Sequence, residues 1–135
     1  MVPFIPDPDP DNTVGKYILD ADGEPVPCYD LFAWARWLET APRHVGNDVL
    51  YGDSELQVRV STVFLGLDHN YFGGGPPILW ETMVFIHHDS VGRGESWDEY
   101  TRRYSSRQEA LAGHNDTCLA VMQAMDLTRE PKGNS

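Results

Sequence analysis

The residues of this sequence with the clearest capacity for acid–base or metal chemistry lie around one glycine-rich stretch: Asp68 and His69 before it, and Glu81 after it. A histidine oriented by a carboxylate can act as a general base on water, and the same side chains could hold Mn²⁺ or Zn²⁺. His87 and His114 are possible further members of this set. None of the spacings HxH, HxxxH or HExxH occurs. The spacing therefore does not require a catalytic or metal site, and in a second interpretation Asp68 and His69 cap a loop by bonding to backbone amides.

A second group of residues favours anion binding over catalysis. The glycines at 73–75 could present bare amides to a phosphate, but no Lys-Ser/Thr pair follows and no helix begins there, so the stretch is neither a P-loop nor a Rossmann turn. We expect loop amides, an arginine and an aromatic ring to hold a nucleotide-like anion together. The predicted ligand-binding residues are Asp68, His69, Tyr71, Phe72, Gly73, Gly74, Gly75, Trp80, Arg102 and Arg103.

Two predicted strands position these candidates. Residues 56–62 alternate apolar and polar, which is typical of a strand with one buried face. Residues 63–67 are apolar on both faces, which predicts a central strand covered on both sides or at a subunit contact. Residues 78–86 are rich in β-branched and aromatic side chains and form the partner strand.

The pairing register of this hairpin decides where Glu81 points. If Leu67 pairs with Ile78, then Phe64 lies opposite Glu81, and Glu81 shares a face with Thr62 and Asp68. A slip of one residue would move Glu81 to the other face of the sheet. Any site that combines Asp68 with Glu81 depends on the first register.

The helices have clear signals at their starts. Asp30 is a predicted N-cap for a helix over residues 31–40, with a buried stripe of Leu31, Trp34, Ala35 and Leu38. Phe32 and Trp37 fall off that stripe, where they either make a second contact or extend the core. For the last helix, Ser105 or Ser106 is the predicted cap, with Glu109 placed to complete a capping box with Ser106. The predicted buried face consists of Leu111, His114, Cys118, Met122 and Met125.

The remaining segments complete a prediction of one α+β domain. Residues 14–19 predict a short strand, residues 42–54, with His44 and Asp48, predict a connection, and residues 98–104 predict a third strand or a short helix. The expected architecture is a small, mainly antiparallel sheet of three or four strands with two helices packed on one face. A Pro/Asp-rich arm over 1–13, a single globular domain over 14–126 and a frayed tail over 127–135 are expected. A homodimer would cover the second face of the sheet.

Composition narrows the classes of function. The chain has 135 residues, with 21 acidic and 10 basic residues and a net charge of −11, so direct nucleic-acid binding is not expected. The one gathering of basic residues along the chain, Arg93, Arg102, Arg103 and Arg107, forms either an anion-binding rim or surface ion pairs. No apolar run of membrane-spanning length and no secretory signal is present, which predicts a cytoplasmic protein. Cys28 and Cys118 are expected to be free thiols, and no cofactor is expected.

Four motifs carry a resemblance to known sequences. They are Gly66-Leu67-Asp68-His69, residues 73–77, Glu81-Thr82-Met83, and the run from Glu109 to His114. Over residues 16–125 the chain resembles a family of small proteins of unknown function encoded by bacteriophages and prophages. The resemblance implies an accessory role in the host cytoplasm, without a catalytic assignment.

We therefore expect a non-enzymatic binding protein that sequesters a small anionic, nucleotide-like ligand or blocks a host protein. One alternative is a hydrolase, metal-dependent or using the histidine and carboxylates alone, built on Asp68, His69 and Glu81. The other is an acidic mimic of nucleic acid that occupies a host DNA-binding protein.

Overall fold

The computed structural model of the protein describes residues 12, 15–53, 55–71, 73–87, 94–96 and 101–131, with only the backbone of 94–96 described. Apart from Asn12, the predicted arm over residues 1–13 lies outside these residues. Phe72, Arg93 and residues 98–100 also lie outside them.

Seven strands and two helices form within the described residues. In chain order they are β1 (Tyr17–Leu19), β2 (Pro25–Pro27), α1 (Leu31–Thr40), β3 (His44–Tyr51), β4 (Gln57–Phe64), β5 (Trp80–His87), β6 (Gly94–Ser96), β7 (Arg102–Tyr104) and α2 (Arg107–Met125). The predicted α+β class, with a mainly antiparallel sheet packed by helices, is confirmed. None of the helices described is long and apolar enough to cross a membrane.

The main sheet has five strands, two of which share one edge of the sheet. β3, β4 and β5 pair antiparallel in that order, and β6 and β7 both pair with the far edge of β5, one at each end of it. β1 and β2 form a separate antiparallel hairpin. β4 is therefore a central strand, as its apolar sequence predicts.

The predicted register of the β4–β5 hairpin is wrong by one residue. Phe64 pairs with Trp80, and Val63, rather than Phe64, pairs with Glu81. The predicted register would have turned Glu81 toward the helix-covered face, where a carboxylate is expensive to bury. The observed register instead aligns apolar and threonine side chains on that face: Val58, Val60, Thr62 and Phe64 of β4 with Trp80, Thr82, Val84 and Ile86 of β5.

The segment predicted as a connection over 42–54 contains β3, an edge strand of eight residues. Its sequence, HVGNDVLY, interrupts its apolar residues with Gly, Asn and Asp, and it lies at the edge of the sheet, where β4 is its strand partner among the described residues. Leu50, which is fully buried, pairs with Val58, and Asp48 pairs with Val60. Asp48 is thus on the core face of the sheet, at its rim.

The last helix packs across the sheet, as predicted, but with a different set of buried residues. Ser106 caps it by accepting from the Glu109 amide, which confirms the predicted cap, and the Ser106 hydroxyl, in place of the backbone N–H of a capping box, donates to the Glu109 carboxylate. Leu111 is exposed, contrary to prediction, and the buried residues are Ala110, Gly113, His114, Thr117, Cys118 and Val121. Small residues occupy this face because the helix lies close to the strands.

The first residues after α2, where a frayed tail is predicted from residue 127, pack against the domain. Asp126 adopts a left-handed conformation that ends the helix. Leu127 then enters the core with only 4% of its surface exposed, and Thr128 exchanges backbone hydrogen bonds with Tyr51 of β3. The burial of Leu127 explains why fraying does not begin at that point.

The first helix has the predicted N-cap and a partly different contact face. Asp30 accepts from the amides of the second and third helical residues. Ala35 is exposed, contrary to prediction, while Trp37 packs edge-on against Phe64 at 5.7 Å between ring centroids. Trp37 therefore extends the core on the same face that α2 covers, and Phe32 remains 48% exposed.

Candidate functional site

The glycine-rich loop is held together by two of its own polar side chains. Asp68 accepts hydrogen bonds from the amides of Asn70 and Ile78, and so ties the start of the loop to its end. The Asn70 side-chain amide donates to the carbonyls of Gly74 and Pro76. Asp68 thus does what the loop-capping interpretation predicts of it.

Among the described residues of the loop, Tyr71 and the glycines at 73–75 are exposed, and His69 is partly buried. His69 and Tyr71 lie against each other, with 3.2 Å between the Tyr71 hydroxyl and His69 Nδ1, and Tyr71 is 71% exposed. The glycines at 73–75 all have φ between 70° and 79°, and a Cβ at any of them would meet no atom within 4 Å. The loop is shaped by its own hydrogen bonds and does not line either of the clefts described below.

The remaining predicted residues are separated from the loop and from one another. Glu81 forms an ion pair with Arg103 at 2.8 Å, beside a depression of about 590 Å³ lined also by Met83 and Thr101. The two charges are therefore paired with each other. Trp80 is fully buried in the core, and Arg102 lies exposed on β7. Asp68 and Glu81 therefore have different partners, one in the loop and one on the sheet.

A second cleft, of about 280 Å³, gathers positive charge. Arg43, His44 and Arg107 line it together with Trp37. Its other walls come from the β1–β2 hairpin and the start of β3: Leu19, Asp20, Ala21, Gly23, Pro42 and Val45. We call this feature the arginine cleft.

Local structure explains how the arginine cleft is positioned. Arg43 immediately precedes β3, and its Nη1 donates to the Phe64 carbonyl at the end of β4. Arg107 is the first residue of α2, directly after the Ser106 cap. Asp20 shapes the facing turn, because its carboxylate accepts from the amides of Asp22 and Glu24. Among the described residues, no carboxylate oxygen forms an ion pair with Arg43 or Arg107.

A chain of buried hydroxyl groups crosses the interface between the sheet and α2. The Tyr104 hydroxyl lies 3.0 Å from Thr82 Oγ1, which lies 2.6 Å from Thr62 Oγ1, which lies 2.7 Å from His114 Nδ1. All four side chains are buried. We call Tyr104, Thr82 and Thr62 the hydroxyl chain.

The far side of the His114 ring meets a cluster of potential metal ligands. His114 Nε2 lies 2.6 Å from Asp48 Oδ2, and the Cys118 sulfur lies 3.7 Å from Nε2 and 3.8 Å from Oδ2. Arg129 donates to the other Asp48 oxygen at 3.3 Å. We call Asp48, His114 and Cys118 the Asp48 cluster.

With Asp48 ionised and the His114 ring neutral, the hydrogen bonds along the hydroxyl chain all run in one direction. An ionised carboxylate only accepts, so the ring donates to Asp48 through Nε2–H. In the neutral ring Nδ1 then accepts from Thr62, whose hydroxyl accepts from Thr82, and Thr82 accepts from Tyr104. Every hydroxyl of the chain donates once and is satisfied, as buried polar groups require.

Burial raises the pKa of the Cys118 thiol from its ordinary 9.0 to about 11, and the negative charge of Asp48 adds to the rise while Arg129 opposes it. The thiol is therefore protonated at neutral pH and is a poor nucleophile. The cluster is not arranged as a cysteine–histidine catalytic pair, which requires a thiolate.

The raised pKa predicts that the Cys118 thiol lowers stability at high pH. Because the pKa is about 11 in the folded protein and 9.0 in the unfolded chain, the unfolded chain loses this proton first. The buried, protonated Cys118 thiol therefore makes its full contribution to the free energy of unfolding below pH 9.0. This contribution is lost as the pH rises to about 11. Urea unfolding of protein from which any bound metal has been removed with a chelator should show a smaller loss of stability over this pH range for Cys118→Ala than for the wild type. Equal losses would contradict the assignment.

Sequence reasoning missed most of these two sites. The sequence pattern singles out Arg107 and His114, but it does not indicate Arg43, and it places Asp48 in a predicted connection where β3 in fact lies. The alternation of Gly46, Asp48 and Leu50 was the available signal for that strand, and a strand with Gly and Asp on its inner face does not stand out from a loop.

No known family, curated protein or solved structure matches this chain.

Proposed function

We propose that this chain is a non-enzymatic binding protein for a small anion that carries a phosphate group, held in the arginine cleft. The observation that supports the proposal is the convergence of Arg43, His44 and Arg107 on one cleft beside Trp37. Because the net charge of the chain is −11, composition alone would not lead us to expect two arginines in one small cleft.

Phosphate is the anion that this arrangement fits best. A guanidinium group offers paired N–H donors that match two phosphate oxygens, and such charge-assisted bonds are stronger than neutral ones. Arg107 begins a helix of 19 residues, so the positive end of the helix dipole lies at the same place. Two arginines from different elements, supported by a helix start, give a fixed geometry instead of a diffuse positive surface.

The overall negative charge does not prevent anion binding here. At physiological ionic strength charges more than about 8 Å apart are largely screened, so the nearest groups decide the local potential. The one carboxylate among the lining residues, Asp20, accepts through Oδ1 from the amides of Asp22 and Glu24. Arg43 and Arg107, without carboxylate partners among the described residues, remain to bind a ligand.

The size of the cleft limits the ligand. Pockets for drug-sized molecules span roughly 300–1,000 Å³, and this cleft measures about 280 Å³. It suits a phosphate or a small phosphomonoester whose organic part contacts Trp37, rather than a dinucleotide. In a phage-encoded protein of the family that the sequence motifs resemble, such binding would remove a phosphorylated metabolite or nucleotide from the host.

Calorimetry with inorganic phosphate and with AMP tests the proposal. Arg107→Gln removes an exposed guanidinium, and because a hydrogen bond to a charged group contributes about 1.5–3 kcal/mol, we expect at least tenfold weaker binding. Arg43→Gln should weaken binding similarly. Arg36→Gln, an exposed arginine of α1 outside the cleft, is the matched control and should bind as the wild type does.

Two results would overturn the proposal. One is the absence of binding heat with either ligand at millimolar concentration. The other is equal affinity in the wild type and in the Arg43→Gln/Arg107→Gln double variant. Phosphorus NMR should recover AMP unchanged, since the proposed role is binding without turnover, and hydrolysis that requires the cleft arginines would contradict a non-enzymatic role.

A further inference from the structure

The Asp48 cluster shares no residue with the arginine cleft and carries an inference of its own. Its three donor atoms come from different chemical classes, a carboxylate oxygen, an imidazole nitrogen and a sulfur, and all lie within 4.8 Å of one another. We propose that Asp48, His114 and Cys118 bind one Zn²⁺ ion, with a solvent molecule as the fourth ligand.

The distances are close to those of a tetrahedral zinc site. In a tetrahedral site with Zn–S near 2.3 Å and Zn–N or Zn–O near 2.0–2.1 Å, the sulfur lies about 3.6 Å from a nitrogen or oxygen ligand. A nitrogen and an oxygen ligand lie about 3.4 Å apart. Cys118 Sγ is 3.7 Å from Nε2 and 3.8 Å from Oδ2. The 2.6 Å contact between His114 and Asp48 must therefore open, and the Asp48 side chain, 39% exposed, has room to move.

The secondary structure holds two of the ligands in place. His114 and Cys118 are four residues apart on α2 and so lie on the same side of the helix. Gly46 of β3 leaves space for the imidazole, because a Cβ at this position would overlap the His114 ring. Both ligand side chains are buried, at 4% and 0% exposure, and their rotamers are limited by packing.

The hydroxyl chain supplies the support that a metal-binding histidine needs. Such a histidine usually bonds through its second nitrogen to a fixed partner, which orients the ring. Thr62 Oγ1 lies 2.7 Å from Nδ1 and is itself held by Thr82. When Nε2 binds the metal, the ring proton resides on Nδ1 and is donated to Thr62, and the Thr62 and Thr82 hydroxyls rotate to donate toward Tyr104.

Charge and donor type favour zinc over the common hard cations. A thiolate and a carboxylate neutralise the two positive charges of the ion, and the thiol proton passes to solvent when the Zn–S bond forms. Sulfur and imidazole donors suit Zn²⁺, whereas Mg²⁺ and Ca²⁺ prefer oxygen. Arg129 occupies Oδ1 of Asp48, which leaves Oδ2 to bind the ion as a single oxygen.

Cobalt substitution tests the site directly. The full-length protein is treated with chelator, exchanged into clean buffer and titrated with Co²⁺, whose spectrum reports its ligands. We expect one Co²⁺ per chain, visible bands typical of tetrahedral coordination, and an ultraviolet thiolate-to-cobalt band, with Zn²⁺ displacing Co²⁺. Cys118→Ser should lose the ultraviolet band, and Asp48→Asn should bind at least tenfold more weakly.

Cys28→Ser is the matched control, because Cys28 is the other free thiol and lies outside the cluster. It should keep the full spectrum. An octahedral spectrum without a sulfur band, or a sulfur band lost in Cys28→Ser and kept in Cys118→Ser, would overturn the proposal. Circular dichroism of each variant separates loss of the metal from loss of the fold.

Discussion

Replacing Gly113 with alanine should destabilise the protein by about 2 kcal/mol or more, although alanine is the better helix former. In a helix interior alanine is favoured over glycine by about 1 kcal/mol. Here the added Cβ would overlap the ring and hydroxyl of Tyr104, because α2 crosses β7 at this position. Forcing extra volume into a packed core typically costs about 1–3 kcal/mol. Moving Tyr104 would also break its bond to Thr82.

Urea unfolding of two control variants distinguishes packing from propensity. Ala112→Gly, at the neighbouring exposed position of α2, should lose about 1 kcal/mol through propensity alone. Tyr104→Leu should reduce the penalty of Gly113→Ala in the double variant, since the obstructing ring is gone. A Gly113→Ala protein at least as stable as the wild type would show that the helix does not approach β7 as described.

Replacing Thr62 with valine should lower the free energy of unfolding by about 2–5 kcal/mol while keeping the shape of the side chain. Thr62 is fully buried and joins Thr82 to His114. Without its hydroxyl, His114 Nδ1 and the Thr82 hydroxyl each lose a partner, and a buried unsatisfied group costs about 1–3 kcal/mol.

A double-mutant cycle shows whether the hydroxyl chain acts as a unit. Thr82→Val should be similarly destabilising, and the Thr62→Val/Thr82→Val double variant should lose less stability than the sum of the two singles. Thr40→Val, at an exposed position at the end of α1, is the control and should change stability by less than about 0.5 kcal/mol. A loss below that value for Thr62→Val would mean that the buried bonds contribute little.

The elements with strong local signals could be predicted from the sequence. Asp30 and Ser106 mark the two helix starts, and the apolar runs around β4 and β5 mark the central hairpin. Local chemistry decides these features, because a cap or an apolar run acts within a few residues. The α+β class follows from them.

The register and the sites depend on tertiary contacts that local patterns do not carry. To predict the face of the sheet on which Glu81 lies, one must know that Thr62 and Thr82 face the core. Threonine is a polar residue and does not mark a buried face in a sequence. Asp48 and His114 are 66 residues apart and meet only because β3 is an edge strand beside α2. Arg43 and Arg107 likewise come together only once the sheet and helix are assembled.

The most direct test of the central claim is an NMR titration of isotope-labelled protein with inorganic phosphate, observing backbone amide, arginine side-chain Nε–H and tryptophan indole signals. The arginine cleft predicts saturable shifts at Arg43, Arg107 and Trp37, with Arg36 unchanged. Shifts confined to the loop over residues 68–77 or to Arg102 and Arg103 would contradict this account and place the ligand at the site that the sequence predicts.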